Sequence, residues 1–513
     1  MHLDSSILTL ITFLPTAGAL VLLLLPRQGR AIQWGTLLTT LATFVVSLHL
    51  VAHYVVGQAG FQFEQNGSWI STPAIRYHVG VDGLSLWLVL LTTFLAPLGV
   101  LVSWRAIETR TKEFYVLFLL QQTAMLGVFV SLDLFLYYAF WEMTLVPMTL
   151  IIGMYGIERG RQAAIKFFLY TFIPSALLLV GILWLYAKTG TFDFVELQTR
   201  MPGIAATTPE IALFLASMAF LLAFAVKVPV FPLHGWLSDG LREAPAALAM
   251  VLAGKLGLYS LLRFHVELFP VQAARVAPWM IALAVIGILY GALLALVQTD
   301  IKRVAAYATL SGVSFAVLGI YSFATNGING AIFQTLNEGV TGGALFMLIG
   351  MLYERYRTYD IAAYGGLAAR VPWLASLFVV TGLSFIGLPL LNGFVGEFLI
   401  LSGTFTTHQK WAVAATFGVI LSAAYMLWLI QRIFYGPQTA IAPQFDFGDL
   451  NSREKAALWP AIFFMLWMGV ASPLWLRVIE SVPQAITASF EAKTSKLPAV
   501  IIYVDRNVSG VKK

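Results

Sequence analysis

Apolar stretches of membrane-crossing length run along the chain, separated by polar connections that are mostly short. They are 6–25, 32–55, 84–104, 114–130, 132–155, 164–187, 211–234, 245–264, 277–297, 303–322, 330–352, 373–404, 411–433 and 457–476. A helix needs roughly 20 mainly apolar residues to cross a bilayer, and backbone facing lipid must satisfy its own hydrogen bonds. The pattern predicts an all-α polytopic membrane protein with about 14 transmembrane helices. The longer polar segments are 57–82, 188–210, 435–456 and the tail 480–513, none of which suits a soluble domain of ordinary size. The run Ile7–Leu25 is too long for the core of a cleaved leader and has no basic residues before it, so it is expected to be retained as a helix.

Composition agrees with this reading. The 513 residues are 59% hydrophobic and 11% charged, with mean hydropathy +0.82. A soluble chain carries about 25% charged residues, so this one must face lipid. The absence of cysteine excludes iron–sulfur clusters, thiolate zinc or haem sites and disulfides on this chain. No phosphate-binding or dinucleotide-binding glycine pattern occurs in a strand–helix setting. The net charge of +6 follows topology rather than pointing to nucleic acid. Connections after odd-numbered spans hold seventeen Lys and Arg, those after even-numbered spans six, and the tail six. That asymmetry places the odd connections in the cytoplasm and both termini on the outer side.

Two basic residues remain, Lys227 and Lys255, each inside an apolar span, and three acids lie equally deep: Glu142, Glu338 and Glu397. A buried charge costs about 3 kcal/mol on insertion scales. Either these groups are paired helix glue or they form a series of titratable sites that carry protons. Arginine stays charged in proteins and could not titrate; every arginine here falls at a span end or in a connection. That distribution favours titration. Proline and glycine also interrupt two spans, at Lys227-Val-Pro-Val-Phe-Pro-Leu-His234 and Ile386-Gly-Leu-Pro-Leu-Leu-Asn-Gly393. Such breaks are tolerated only where they are buried in protein or line a watery cavity. The broken helices, seven and twelve, are each fourth in a block of five, which predicts two inverted five-helix repeats. The expected division is 1–113 (three helices), 114–265 and 277–434 (the repeats) and 435–513 (last helix and tail).

The segments around these charges resemble the proton-pumping, antiporter-like subunits of respiratory complex I. They are Phe140–Met148 (Phe-Trp-Glu-Met-Thr-Leu-Val-Pro-Met), Lys227–Gly240 with Glu243-Ala-Pro245, Gln298–Tyr307, Tyr353-Glu-Arg355 and Asn392–Phe398 (Asn-Gly-Phe-Val-Gly-Glu-Phe). The likeness runs from about residue 80 to 435 and is highly specific as a joint pattern. Among the three such subunits, the length, the helix count and glutamate at 397 resemble the M type of bacterial NADH-quinone oxidoreductase. The resemblance implies that Glu142 is an input carboxylate paired with Lys227, Lys255 a connecting lysine, and Glu397 the terminal carboxylate. It also implies that His234 sits at the helix-seven break, as a backbone cap or as a relay member. It further implies no cofactor on this chain, FMN, iron–sulfur clusters and quinone in partner subunits, and flanking antiporter-like subunits in an energy-conserving inner (cytoplasmic) membrane. Quinone reduction elsewhere would then drive proton transport here.

The sequence departs from the family at Ser311-Gly312-Val313 and Asn337-Glu338-Gly339, where histidines are usual. The stretch before Lys255 is also a few residues short, with Asp239-Gly240-Leu241 in place of a usual Asp-Ala-His. Either Glu338 conducts in place of an imidazole, or water fills the gap, or the relay is interrupted. Alternative hosts are a multisubunit sodium/proton antiporter and a carbon-dioxide-hydrating or hydrogenase-type complex. Among weaker candidates, His49 and His53 share one helix face and read as a packed pair more readily than a metal site. Asp82 is expected to cap helix three, Asp300 with Lys302 and Arg303 to cap helix ten, and Val500–Val504 to form an edge strand or a docking segment.

Overall fold

The computed structural model describes residues 6–26, 30–58, 60–252, 255–437 and 448–494. The run Val500–Val504 lies outside them. Two long helices, α1 (Ile7–Leu24) and α2 (Arg30–His53), precede an antiparallel hairpin, β1 (Gln62–Ile70) and β2 (Ile75–Val81), with Gln62 opposite Val81. The polar segment 57–82 therefore contains a hairpin that its composition did not announce. Next come α3 (Gly83–Ala106), α4 (Thr111–Val130), α5 (Leu134–Tyr155), α6 (Gly160–Thr189) and the short α7 (Phe194–Thr207). Asp82 caps α3 as expected, accepting from Leu84 and Ser85 N–H, and also pairs with Arg263.

The next elements are interrupted. α8 (Glu210–Lys227) stops at Lys227, and turns lead to α9 (Leu237–Glu243). The described residues of the predicted span 245–264 form α10 (Ala246–Leu252), α11 (Lys255–Ser260) and a π-helical turn, Leu261–Val266. α12 (Pro270–Val297) and α13 (Ile301–Tyr321) are continuous. α14 (Thr325–Asn337) passes through a π-helical turn, Glu338–Gly342, into α15 (Gly343–Tyr356). The predicted span 373–404 is two pieces, α16 (Pro372–Phe385) and α17 (Asn392–Thr407), broken where proline and glycine fall. α18 (Gln409–Ile430), α19 (Ser452–Val470), α20 (Ser472–Ile479) and α21 (Ser481–Thr494) complete the chain.

Among the described residues, twelve helical runs are long and apolar enough to cross a membrane. There are thirteen if α19 and α20, bent by 80°, count as one. α3, α13 and the run from α14 to α15 are almost wholly buried, while α1, α2, α6 and α18 expose Leu20, Leu38, Val45, Ile173, Val180, Phe417 and Ile420. Such surfaces suit hydrocarbon rather than water.

One local device occurs twice. Asp133 caps α5, and Leu134 N–H and Phe194 N–H exchange bonds of 2.9 and 2.7 Å with Phe192 and Leu132 carbonyls. Asp300 caps α13, and Ile301 N–H and Ile361 N–H bond to Tyr359 and Thr299 carbonyls at 2.9 and 2.8 Å. The bridged pairs are Asp133 with Asp193 and Asp300 with Asp360, sixty residues apart in each case. The first lies on the hairpin face, where Asp133 accepts from Arg76 N–H and Asp193 bonds His78. The second lies on the opposite face. There Arg242 reaches Asp300, Glu158 and Glu243 at 2.9, 3.1 and 2.7 Å, and Asp239 joins Lys166 to Arg303. Burial alone would raise the Glu243 carboxyl, but the N–H groups of Glu158 and Arg159 and the guanidinium of Arg242 hold it below the usual range.

Candidate functional site

Lys227 ends α8, where unpaired carbonyl ends favour a cation. The carbonyls freed by the break find partners: Val230 N–H bonds Ala225 O at 2.8 Å, and the indole N–H of Trp236 bonds Val226 O at 2.9 Å. Lys227 is 6% exposed. Its Nζ donates to Thr144 Oγ1 at 3.4 Å and lies 5.5 and 5.4 Å from the ring centroids of Trp141 and Phe167. Glu142 stands on α5 two residues before Thr144, half-buried, and its Oε1 accepts from Ser175 on α6. Each charge is within electrostatic reach of the other, yet no ion pair as close as 4 Å joins them.

Lys255 opens α11 and is 3% exposed. Its ammonium donates to Met250 O at 2.6 Å, a carbonyl near the end of α10. Two residues on, Gly257 lets α11 lie directly against the α8 break. A Cβ there would sit 2.7 Å from Val228 N. The backbones that carry Lys227 and Lys255 are thus in contact. Among the described residues, no hydrogen bond or ion pair links the two ammonium groups.

Glu338 begins the π-helical turn after α14 and is 3% exposed. Lys255 and Glu397 both lie within its electrostatic reach. Glu397, on the second turn of α17, packs against the break between α16 and α17. Gly387 in that break has φ +73°, and a Cβ on it would lie 2.6 Å from Glu397 Oε2. Both the backbone and the carboxylate therefore require glycine there. Asn392 fastens the break: its Oδ1 accepts from Ser384 Oγ at 2.5 Å and Thr341 Oγ1 at 3.2 Å, while its carbonyl accepts from Asn337 Nδ2 at 3.0 Å. A cavity of about 10 Å³ lies among Gly312, Asn337, Glu338, Glu397 and Tyr425.

The sequence-predicted groups therefore fall in order across packed helices: Glu142 near Lys227, Lys227 beside the Lys255 backbone, then Lys255, Glu338 and Glu397. His234 stands apart from this order. Its ring stacks on Phe231 at 5.6 Å and meets the Tyr290 ring at 5.3 Å. Its Nδ1 has no partner among the described residues. Trp236, not the His234 ring, bonds the freed carbonyl. Sequence reading also missed Ser175 and Tyr425, and it quoted Thr144 and Asn392 within motifs without giving either a role. Polar residues recurring inside apolar spans were the available signal, but which ones face inward is a matter of packing.

The weaker candidates fall outside this group. His49 and His53 stack at 4.0 Å on a mostly exposed part of α2, with His53 Nδ1 3.0 Å from His49 O. Among the described residues, no three His, Asp or Glu side chains gather to hold a metal. Asp300 caps α13 through Lys302 and Arg303 N–H, and the Lys302 ammonium bonds Arg242 O at 2.8 Å.

Comparison with known proteins gives a consistent picture. The transmembrane family described as NADH:quinone oxidoreductase/Mrp antiporter matches residues 131–422, and NADH-ubiquinone oxidoreductase chain 4, amino terminus, matches 12–132. The chain is 41% identical over 483 residues to NADH-quinone oxidoreductase subunit M of Rhodobacter capsulatus, covering 91% of this chain and 93% of that protein. It is 37% identical over 475 residues to NADH-ubiquinone oxidoreductase chain 4 of Marchantia polymorpha, covering 91% and 94%. A chain of respiratory complex I from Thermus thermophilus superposes with TM-score 0.85 at 32% identity, covering 94% of this chain and 99% of that one. A chain of the Mrp complex from Dietzia sp. DQ12-45-1b shares the fold, with TM-score 0.82 at 20% identity and coverage of 96% and 100%.

Proposed function

This chain belongs to the NADH:quinone oxidoreductase/Mrp antiporter transmembrane family, and from that membership we propose that it is the M-type proton-translocating membrane subunit of a respiratory NADH-quinone oxidoreductase. The enzyme's electron transfer, with FMN, iron–sulfur clusters and quinone, takes place on partner subunits. This chain holds no cofactor and moves protons in the energy-conserving inner membrane, flanked by antiporter-like neighbours. Both termini face the outer side, in keeping with the basic residues of the odd connections.

The observation that carries this reading is the order of buried ionisable groups. Glu142 and Lys227 form the switchable pair, Lys255 and Glu338 the lateral relay, and Glu397 the last site before a neighbour or exit. His234 is placed as a side member at the α8 break, positioned to hydrogen-bond water entering there. A titratable series needs charges that are close but not locked, and neither lysine is locked to a carboxylate. The recurring sixty-residue capping device on opposite faces supports 114–265 and 277–434 as inverted copies. The family description also names the Mrp antiporter, but the Mrp complex chain is only 20% identical, whereas the curated relatives at 37–41% identity are subunits of NADH-quinone or NADH-ubiquinone oxidoreductase, which favours the oxidoreductase reading over the sodium/proton antiporter.

The test uses the assembled complex in inverted membrane vesicles. Glu142→Gln and Lys255→Met should each reduce NADH-driven proton uptake while blue-native gels show intact complex. Wild-type uptake in both would overturn the relay.

A further inference from the structure

The Glu338 carboxylate occupies the space beside α13 that any side chain at position 312 would claim. A Cβ built on Gly312 would overlap Glu338 Oε1 and stand only 2.8 Å from its carboxyl carbon. Gly312 lies in the interior of α13, where glycine is less favourable than alanine and no turn demands it. The small residue therefore serves its neighbour. The cavity behind it is lined by Glu338, Glu397, Asn337 and Tyr425. Three of the polar atoms there, Glu338 Oε2, Asn337 Oδ1 and the Tyr425 hydroxyl, are buried without a protein partner. A volume of about 10 Å³ admits one water, and a buried water needs two to four polar partners. Tyr425 is within electrostatic reach of both carboxyl groups.

We propose that Glu338 and Glu397 exchange a proton through one water bound at Glu338 Oε2, Asn337 Oδ1 and the Tyr425 hydroxyl, with Gly312 as the residue that positions Glu338 for it. The water accepts the Glu338 proton as it releases one of its own to Glu397. No heavy-atom bond changes and no oxidant is needed. The proposal rests on the relay reading above and gives it a specific joint between α14 and α17.

The decisive experiment is a rescue in the assembled complex. Gly312→Ala drives the carboxylate out of its seat and should reduce NADH-driven proton uptake several-fold. Aspartate is shorter by one C–C bond, about 1.5 Å, which withdraws the carboxyl carbon from the new methyl. The double variant Gly312→Ala with Glu338→Asp should therefore recover most of the uptake, whereas Gly312→Ala with Glu338→Gln should not. Tyr425→Phe, which removes one water partner, should slow uptake in solvent deuterium more than in ordinary water, relative to the parent. Normal uptake by Gly312→Ala, or equal loss in the alanine single and aspartate double variants, overturns the proposal. If Gly312→Ala fails to assemble, restored assembly with Glu338→Asp supports the proposal and continued failure counts against it. Normal uptake by Glu338→Gln while Glu142→Gln and Lys255→Met are impaired sinks this joint alone. Normal uptake in all of them sinks the relay as well.

Discussion

Replacing Lys227 by methionine separates a lysine kept for transport from one kept for stability. Methionine preserves the unbranched stem and removes the ammonium. The structure gives that ammonium one long hydrogen bond, 3.4 Å to Thr144, and two ring faces at 5.5 and 5.4 Å. A hydrogen bond to a charged group contributes about 1.5 kcal/mol at the weak end. A cation–π contact contributes about 0.5–2 kcal/mol. Against these stands the desolvation of a buried ion, several kcal/mol even after the protein relaxes. The terms nearly cancel, so the variant complex is expected to melt within about 4 °C of the parent in detergent. Proton uptake tells the other half: losing a proton-transfer group should cost at least about tenfold. The assay pairs dye-reported uptake in inverted vesicles with thermal unfolding of the purified complex. Undiminished uptake would refute the transport role. A loss of stability above about 3 kcal/mol would show instead that the lysine is structural glue.

Three further outcomes are expected. Arg355 donates to both carboxylate oxygens of Glu454 at 2.8 Å and to the Met351, Gly448 and Asp449 carbonyls, so Arg355→Met should cost about 3–5 kcal/mol of thermal stability, partly recovered by adding Glu454→Gln. Asn392→Ala leaves the buried Ser384 and Thr341 hydroxyls only each other, 3.1 Å apart, and should cost about 1–3 kcal/mol, while Asn392→Asp, which keeps the acceptor, should melt closer to the parent in the same scan. On the hairpin face, His78 bonds Asp193 at 2.5 Å. Burial pushes this imidazole down, but the Asp193 bond and the charges of Asp193 and Glu64 prevail and raise it above 6.5. Burial likewise opposes ionisation of Asp193, yet the His78 bond and Glu196 N–H hold it below 3.8. The His78 contribution is complete below pH 6.5 and fades as pH rises through its raised value. That of Asp193 is complete above pH 3.8 and fades as pH falls through its lowered value. Proteolysis of residues 62–81 should therefore be slowest between those values and accelerate on the alkaline side, and His78→Gln should flatten that rise; an unchanged profile in His78→Gln would refute the assignment.

The chain's own order of residues determined the membrane class, because a run of about twenty apolar residues has one stable way to exist in lipid. It also located the five intramembrane charges and the two broken helices, since a lysine among leucines or a proline in mid-span is visible without any fold. The hairpin at Gln62–Val81 was hidden in a segment without clean alternation; its strands pair with each other and are tied to the helices by partners such as His78 with Asp193, 115 residues apart. The bend between α19 and α20 falls where Pro473 enters the first turn of α20, a signal inside the predicted span 457–476 that its apolar character masked, and the π-helical turn at Glu338 left no mark in the apolar pattern. Only the tertiary structure decided which polar residues face one another. It set Trp236 rather than His234 on the freed carbonyl, laid Gly257 on the Lys227 break, and filled the gap at Gly312 with the carboxylate of Glu338. Spacing along one helix fixes a face, but the neighbour that meets that face depends on how the helices cross, and no local pattern records it.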